Sequence, residues 1–276
     1  TGDSSYGDFV LSSGSWTYTL DQSAVQDLDA GDVVQDTITY TATDGTTQQI
    51  TVNITGTDDD SIISGTVAGA VSEGNVGDAA VTATGSIAIS DVDDDDSPAF
   101  NDVVATVGNN AFGSFVLSSG TWTYTLDQSA VQNLDAGDIV NDTITYTATD
   151  GSTQQITVSI TGTDDNSVIS GTVIGAVSEG NVGDAAVTAT GSISISDVDD
   201  DDSPAFNDVA TTVGDNSFGS FVLSSGSWTY TLDQSAIQNL DAGDIVNDTI
   251  TYTATDSSTQ QITVTITGSD DMSVIT

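Results

Sequence analysis

Apolar and polar residues alternate along this chain with a period of two. Trp122, Tyr124 and Leu126 alternate with Thr123 and Thr125. Ile144, Tyr146 and Ala148 alternate with Thr143, Thr145, Thr147 and Thr149, and Ile156, Val158 and Ile160 alternate with Thr157, Ser159 and Thr161. Successive side chains of a strand point to opposite faces, so alternation rich in β-branched and aromatic residues predicts strands with one face buried and one wet. Turn residues punctuate them at Gly108-Asn109-Asn110, Ser119-Gly120 and Asp150-Gly151. One stretch alone looks helical, Gln128 to Leu134, with Ala130, Val131 and Leu134 placed to cover one end of a core.

The pattern predicts seven strands, roughly 65–70, 83–90, 99–107, 112–118, 121–126, 142–149 and 154–162. Seven short strands in about 100 residues is the pattern of an all-β, immunoglobulin-like β-sandwich. Trp122 reads as its core anchor.

The strands belong to a long repeat. SGSWTYTLDQSA around Trp16 returns as SGTWTYTLDQSA around Trp122 and SGSWTYTLDQSA around Trp228, at spacings of 122 − 16 = 106 and 228 − 122 = 106. SGTVAGAVSEGNVGDAAVTATGSI from Ser64 likewise returns from Ser170 as SGTVIGAVSEGNVGDAAVTATGSI. The period exceeds the roughly 20–50 residues of a solenoid repeat and matches a small domain. It divides the chain into the C-terminal part of a repeat at 1–62 and complete repeats at 63–168 and 169–276. An odd number of strands brings the chain in at one pole and out at the other, so copies are expected to string end to end. The loop Asp91–Ser97 then sits at the incoming pole, beside the linker Thr57-Asp58-Asp59-Asp60. The outgoing pole carries Glu73 and Asp78, the segment with Asp135 and Asp138, and the linker Asp164-Asp165-Asn166.

Charge changes the picture. The formal net charge is −42, there is no Lys, Arg or His, and Glu73 and Glu179 are the only glutamates. Nucleic acid and anionic membrane both demand basic residues, so neither is an expected partner. No apolar run is long enough to span a bilayer, so no membrane insertion is expected. Without Cys there are no disulfides, and without Lys or Arg there is no site for a trypsin-like protease. His, Cys and Lys are also the usual general bases, nucleophiles and Schiff-base formers. A carboxylate pair could serve a glycosidase, but every acid recurs with the repeat, and the chain is not expected to be an enzyme.

The acids concentrate in ISDVDDDDSPAF, at 89–100 and again at 195–206. Close carboxylates repel by about 1 kcal/mol per pair even in bulk water. The chain holds no counter-charge, so the neutralising ion comes from outside. Ca²⁺, which takes about six to eight oxygen ligands, is the expected one. Asp91, Asp93 and Asp95 share the spacing of the first half of an EF-hand loop, with Asp102 twelfth. However, Asp96 stands where that loop needs glycine, Pro98 follows, and strands flank it. Mg²⁺ keeps its waters and Zn²⁺ wants Cys or His, so both fit less well. The candidate ligands are Asp58, Asp59, Asp60, Glu73, Asp91, Asp93, Asp94, Asp95 and Asp96. Their counterparts one repeat on are Asp164, Asp165, Glu179, Asp197, Asp199, Asp200, Asp201 and Asp202. Glu73, Asp78, Asp135 and Asp138 compete to complete the set from the outgoing pole. The alternative is a solvated acidic loop without metal.

Several strings in order, G-T-V-x-G-A-V-S-E-G, T-A-T-G-S-I-x-I-S-D-V-D, F-G-S-F-V-L-S-S-G-x-W-T-Y-T-L-D, V-Q-N-L-D-A-G-D, T-I-T-Y-T-A-T-D-G and I-T-V-x-I-T-G-T-D-D, resemble the VCBS repeat over the whole chain. The resemblance implies tandem cadherin-like or Ig-like domains of large secreted bacterial proteins, including repeat-in-toxin adhesins. There they act as extenders that hold an adhesive tip away from the cell, often with Ca²⁺ at the linkers. By resemblance, Asp164 and Asp165 match the closing T-N-D and Asp197 to Asp199 match S-D-V-D. The linkers depart from the family's pattern, reading TDDDS and TDDNS without the usual proline. The implied location is extracellular, at a bacterial cell surface. The implied partners are neighbouring repeats of the same chain and, for a self-assembling filament, other copies of the protein. A third reading, a glycan- or ice-binding module, is motivated by the Thr rows at Thr37-Ile38-Thr39 and Thr143-Ile144-Thr145, which are equally the wet face of a sandwich.

Overall fold

The structure, a computed structural model, describes residues 1–75, 77–181 and 183–270; the end of the third repeat, 271–276, lies outside the described residues. The chain forms two compact units. The first comprises Thr1–Glu73, Ala79–Ala130 and Ile139–Thr161, and the second Gly74–Asp78, Val131–Asp138 and Gly162–Thr276.

In the first unit, β1 (Gly7–Ser12) pairs with β2 (Ser15–Leu20), and β3 (Val33–Thr41) with β4 (Thr47–Thr55), both antiparallel. Eight further strands follow: β5 (Ile62–Gly65), β6 (Ala68–Ser72), β7 (Thr82–Ser90), β8 (Val103–Val107), β9 (Gly113–Ser118), β10 (Thr121–Leu126), β11 (Ile139–Thr147) and β12 (Thr153–Thr161). They make a five-stranded sheet, β5-β7-β10-β9-β8, and a three-stranded sheet, β11-β12-β6. Phe115, Leu117, Trp122, Tyr124, Ile156, Val158 and Ile160 are buried, drawn from both sheets.

The second unit repeats the plan with β13 (Val168–Gly171), β14 (Ile174–Ser178), β15 (Thr188–Ser196), β16 (Val209–Val213), β17 (Gly219–Ser224), β18 (Ser227–Leu232), β19 (Ile245–Thr253) and β20 (Thr259–Thr267). Its sheets are β13-β15-β18-β17-β16 and β14-β20-β19. A single cluster joins Trp228, Tyr230 and Phe221 of one sheet to Ile250, Ile262 and Val264 of the other. Two sheets closing on one apolar core make a β-sandwich, so the all-β fold of tandem sandwiches expected from the alternation is present. Among the described residues no helix is long and apolar enough to cross a membrane.

Three element boundaries differ from the expectation. The single strand expected at 65–70 is two strands in two sheets, β5 antiparallel to β7 and β6 parallel to β12. Gly65, at φ +124°, makes the switch, and a Cβ there would lie 2.1 Å from the Ser86 carbonyl oxygen. The strand expected from 99 begins at Val103; Phe100 makes only an isolated bridge to Ala148, and Pro98 has no N–H to donate. The helical-looking stretch contracts to one 3₁₀ turn, Gln128–Ala130, repeated at Gln234–Ala236. In the second unit Asp233 caps that turn by accepting from the Ser235 N–H at 3.0 Å, and Ile237 and Leu240 then pack on the core.

Candidate metal centre

Asp93 follows β7, and Asp199 follows β15. The turn at each is held from within: the Asp93 N–H donates to Asp91 Oδ1 at 3.1 Å and the Asp199 N–H to Asp197 Oδ1 at 3.2 Å. This local Asx geometry turns the chain inward. The linker then closes over the carboxylate, because the Asp59 N–H donates to Asp93 Oδ2 and the Asp165 N–H to Asp199 Oδ2, both at 2.7 Å. As a result Asp93 is 3% exposed and Asp199 4%. Each keeps a second oxygen, Oδ1, that is buried with no hydrogen-bond partner.

Two further carboxylates approach each of these aspartates. In the first unit Asp29, Asp93 and Asp96 each present an oxygen atom within 4.8 Å of the others; in the second Asp135, Asp199 and Asp202 do the same. Asp29 and Asp135 lie on the loop after the 3₁₀ turn. The linker ties that loop down, with Asp58 Oδ1 accepting from the Ala30 N–H (2.7 Å) and Asp164 Oδ1 from the Ala136 N–H (2.8 Å). The Asp94 N–H donates to the Asp27 carbonyl in the first unit, and the Asp200 N–H to the Asn133 carbonyl in the second, both at 3.2 Å.

The electrostatics match the geometry. Desolvation raises the Asp29 carboxyl above its ordinary value, and the charges of Asp95 and Asp93 push the same way. Asp96 is raised by desolvation and by Asp91, Asp58 and Asp93. Asp135 is raised by desolvation and Asp201, and Asp199 by desolvation ahead of Asp197, Asp165 and Asp135. All four carboxyls resist ionisation where like charges crowd them.

A buried carboxylate that keeps one oxygen without a donor and has two other carboxylates close by has the chemistry of a hard-cation site. Two oxygens on one Ca²⁺ lie up to about 5 Å apart, given Ca–O distances of about 2.3–2.6 Å. The residues therefore fit Ca²⁺.

Of the expected ligands, the structure brings together Asp93 with Asp96 and Asp199 with Asp202. Asp29 and Asp135 complete the two sets. Asp135 was one of the four competing acids; Asp29 is its counterpart one repeat earlier. The other acids are placed differently. Asp91 and Asp197 accept from Ser61 and Ser167 hydroxyls at 2.9 Å, and hydrogen bonding from the Asp93 N–H and from Ser61 holds Asp91 below its ordinary value. Asp58 and Asp164 cap the loop, while Asp59 and Asp165 contribute their N–H groups. Asp60, Asp94, Asp95, Asp200 and Asp201 are exposed, with Asp200 Oδ2 accepting from the Asn133 side-chain amide at 2.8 Å. Glu73 and Glu179 are buried outside both groups. Glu179 accepts from Gln238 Nε2 at 3.2 Å and from the Ser269 N–H at 3.1 Å. Asp102 caps the β9–β10 turn by accepting from the Ser119 N–H at 2.6 Å, so the EF-hand-like count to position twelve has no structural meaning.

No known family profile and no curated protein matches the chain. Among solved structures, extracellular cadherin domains 1–5 of protocadherin gamma B2 align at 14% identity over 96% of this chain and 51% of that one, with a TM-score of 0.46. A Ca²⁺-stabilised adhesin that helps an Antarctic bacterium bind ice aligns at 16% identity over 99% of this chain and 68% of that one, TM-score 0.26. A 1.5-MDa bacterial ice-binding adhesin aligns at 15% identity over 94% and 84%, TM-score 0.25. The chain thus spans about half the length of the protocadherin fragment.

Proposed function

We propose that this chain is a run of VCBS-type extender repeats from an extracellular bacterial adhesin, in which Ca²⁺ holds the linker between successive repeats in one conformation. The observation that carries the calcium reading is that Asp93 and Asp199, each in a three-carboxylate group, are buried and each keep one oxygen without a donor. Near-identical copies support a spacer, since duplication supplies length whereas a catalyst needs one site. Asp29, Asp93 and Asp96, and separately Asp135, Asp199 and Asp202, would hold the ions. The bound ion supplies positive charge and no redox or acid–base step. The protein's own part is to desolvate one carboxylate, fix it through the linker N–H, and bring a loop carboxylate against it. Ion-free, the same residues repel and the linker loosens.

The test is calcium titration by calorimetry, with small-angle scattering in calcium and in chelator. Saturable binding at two sites, abolished stepwise by Asp93→Asn and Asp199→Asn, with a larger maximum dimension in calcium, is expected. If the protein takes up no calcium at millimolar concentration and its scattering is the same in chelator, the Asp runs are solvated loops and the reading fails.

A further inference from the structure

Glu73 and Glu179 are the chain's only glutamates, and both are buried outside the three-carboxylate groups. In the second unit β14 runs parallel to β20 with Ser178 opposite Thr267, and both strands end there. Glu179 carries the pairing one residue further, because its N–H donates to the Thr267 carbonyl at 2.9 Å. The residues after β20, Gly268-Ser269-Asp270, are the counterparts of the linker residues Gly162-Thr163-Asp164 one repeat earlier. Glu179 holds this leaving segment through its side chain as well. Oε2 accepts from the Ser269 N–H at 3.1 Å, and the Glu179 carbonyl accepts from the Ser269 hydroxyl at 3.3 Å.

The carboxylate is itself fixed from its other side. Gln238 Nε2 donates to Glu179 Oε1 at 3.2 Å and to the Gly180 carbonyl at 2.9 Å, and Gln234 Oε1 accepts from the Gly180 N–H at 2.9 Å. Each carboxylate oxygen thus has a donor, as a buried charge requires. The loop after the 3₁₀ turn grips the same segment. The Gly268 N–H donates to the Asp244 carbonyl at 2.8 Å, and Asp270 Oδ1 accepts from the Ala242 N–H at 3.2 Å. A Cβ on Gly268 would lie 2.6 Å from the Asp241 carbonyl oxygen, so glycine lets the loop come this close. The preceding repeat has the matching bonds: the Glu73 N–H donates to the Thr161 carbonyl, Gln132 Nε2 to the Gly74 carbonyl and the Gly162 N–H to the Asp138 carbonyl, all at 2.9 Å.

We infer that Glu179 is a positioning residue for the linker, and that it sets the direction in which the chain leaves the sandwich without the help of a cation. The inference rests on reading the repeats as extenders, whose linkers must hold one conformation. Two devices then share the linker. Hydrogen bonds of the fold fix its first three residues, and the three-carboxylate group acts on the residue that follows, where the Asp165 N–H donates to Asp199 Oδ2. Side-chain length explains the glutamate. Aspartate supplies every other acidic side chain of the protein, but with one methylene less it would fall short of Ser269 and Gln238.

The test is amide hydrogen exchange on the full chain, in calcium and in chelator, with the amides of Ile262–Ile266 as the internal reference. The Ser269 amide should be protected equally in both. Glu179→Ala should speed its exchange relative to that reference by about tenfold or more, the loss expected for a hydrogen bond to a charged group. Glu179→Asp, which keeps the charge, should lose the protection too, whereas Ser269→Ala, which keeps the N–H, should retain it. An unprotected Ser269 amide in the parent chain overturns the inference. Protection that vanishes in chelator also overturns it, since a cation would then hold the segment. So does an acceleration in Glu179→Ala that the reference amides share, since the glutamate would then only hold the sandwich together, and so does full protection in Glu179→Asp. A protein that takes up no calcium leaves these outcomes unchanged, so the calcium reading and this one fail separately.

Discussion

Two kinds of buried aspartate stand a few strands apart in this protein, and they are completed in opposite ways. Asp142, on β11, is fully buried. It accepts from the N–H groups of Asn110 (3.0 Å), Gly113 (3.1 Å) and Thr143 (3.0 Å) and from the Tyr124 hydroxyl (3.3 Å). Burial, then the adjacent Asp142 charge, drives the Tyr124 phenol upward, so it remains a donor. Asp93 is buried almost as deeply, yet one oxygen has a single N–H donor and the other has none. A buried carboxylate needs donors or a cation. The fold supplies the donors in the first case. In the second it supplies two more carboxylates, and a bound cation or a proton would relieve that arrangement.

The comparison breaks most directly at Asp142. Asp142→Ala orphans a buried Gly113 N–H and two partly buried ones, each costing about 1–3 kcal/mol. A loss of about 3 kcal/mol or more is expected in urea unfolding, and it should be the same in calcium and in chelator. A calcium-dependent loss would erase the distinction between the two aspartates.

Calcium removal comes next. An ion bound only by the folded form contributes about 2.7 kcal/mol when its free concentration is a hundredfold above Kd. Chelation should lower Tm accordingly, and Asp199→Asn should abolish the second unit's share of that shift while leaving the chelated protein at least as stable as the parent. If Asp199→Asn destabilises equally in chelator, the carboxylate is structural in the manner of Asp142.

Acid gives the third test, and its sign is fixed by direction. Asp29, Asp96, Asp135 and Asp199 are raised above 3.8. A raised carboxyl binds its proton more tightly folded than unfolded, so its contribution to stability is present in acid and lost as pH rises through the folded value. In chelator, stability should therefore rise as pH falls from neutrality toward 3.8. Asp36, the counterpart of Asp142 in the part-repeat, is held low: burial opposes, but donors from Ser4, Tyr18 and Thr37 win. It acts below 3.8, where stability should fall again. With calcium bound, protons compete with the ion and acid should destabilise throughout. A flat chelator profile between neutrality and 3.8 would contradict the crowding of the two groups.

The smallest effect separates the two three-carboxylate groups from each other. Asn133 donates its side-chain amide to Asp200 at 2.8 Å, whereas the first unit has Asp27 at the equivalent place, opposite Asp94. One hydrogen bond in the second unit is thus a pair of carboxylates in the first. Asp27→Asn should stabilise the calcium-free first unit, and Asn133→Asp should cost about 0.5 kcal/mol, the low end for a hydrogen bond, because both groups are exposed. Paired thermal melts in chelator would show the opposite signs.

Much of this was legible in the sequence. Val, Ile, Trp and Tyr at every second position have one way to leave water, so strands, repeats and the two-sheet core follow from local pattern. The Asp runs marked where carboxylates would crowd, because a chain without Lys, Arg or His cannot neutralise them with its own side chains. Other features were not legible. Gly65 reads as one glycine among many until its backbone is seen crossing between sheets. Glu73 and Glu179, the conspicuous glutamates, fold away from the three-carboxylate groups, while Asp135, one of the four acids expected to compete, and its unsuspected counterpart Asp29 fold into them. Asp142 looked like any strand-face polar residue.

What the sequence determined by itself is therefore what depends on neighbours along the chain: side-chain alternation, turn chemistry, repeat length and total charge. Tertiary structure decided what depends on distance between remote residues. It chose which three of many acids share a few ångströms and which buried oxygen lacks a donor. The physical reason is that desolvation and Coulomb repulsion act through space, and residues 29, 93 and 96 become neighbours only when a linker N–H and a loop carbonyl close the chain on itself.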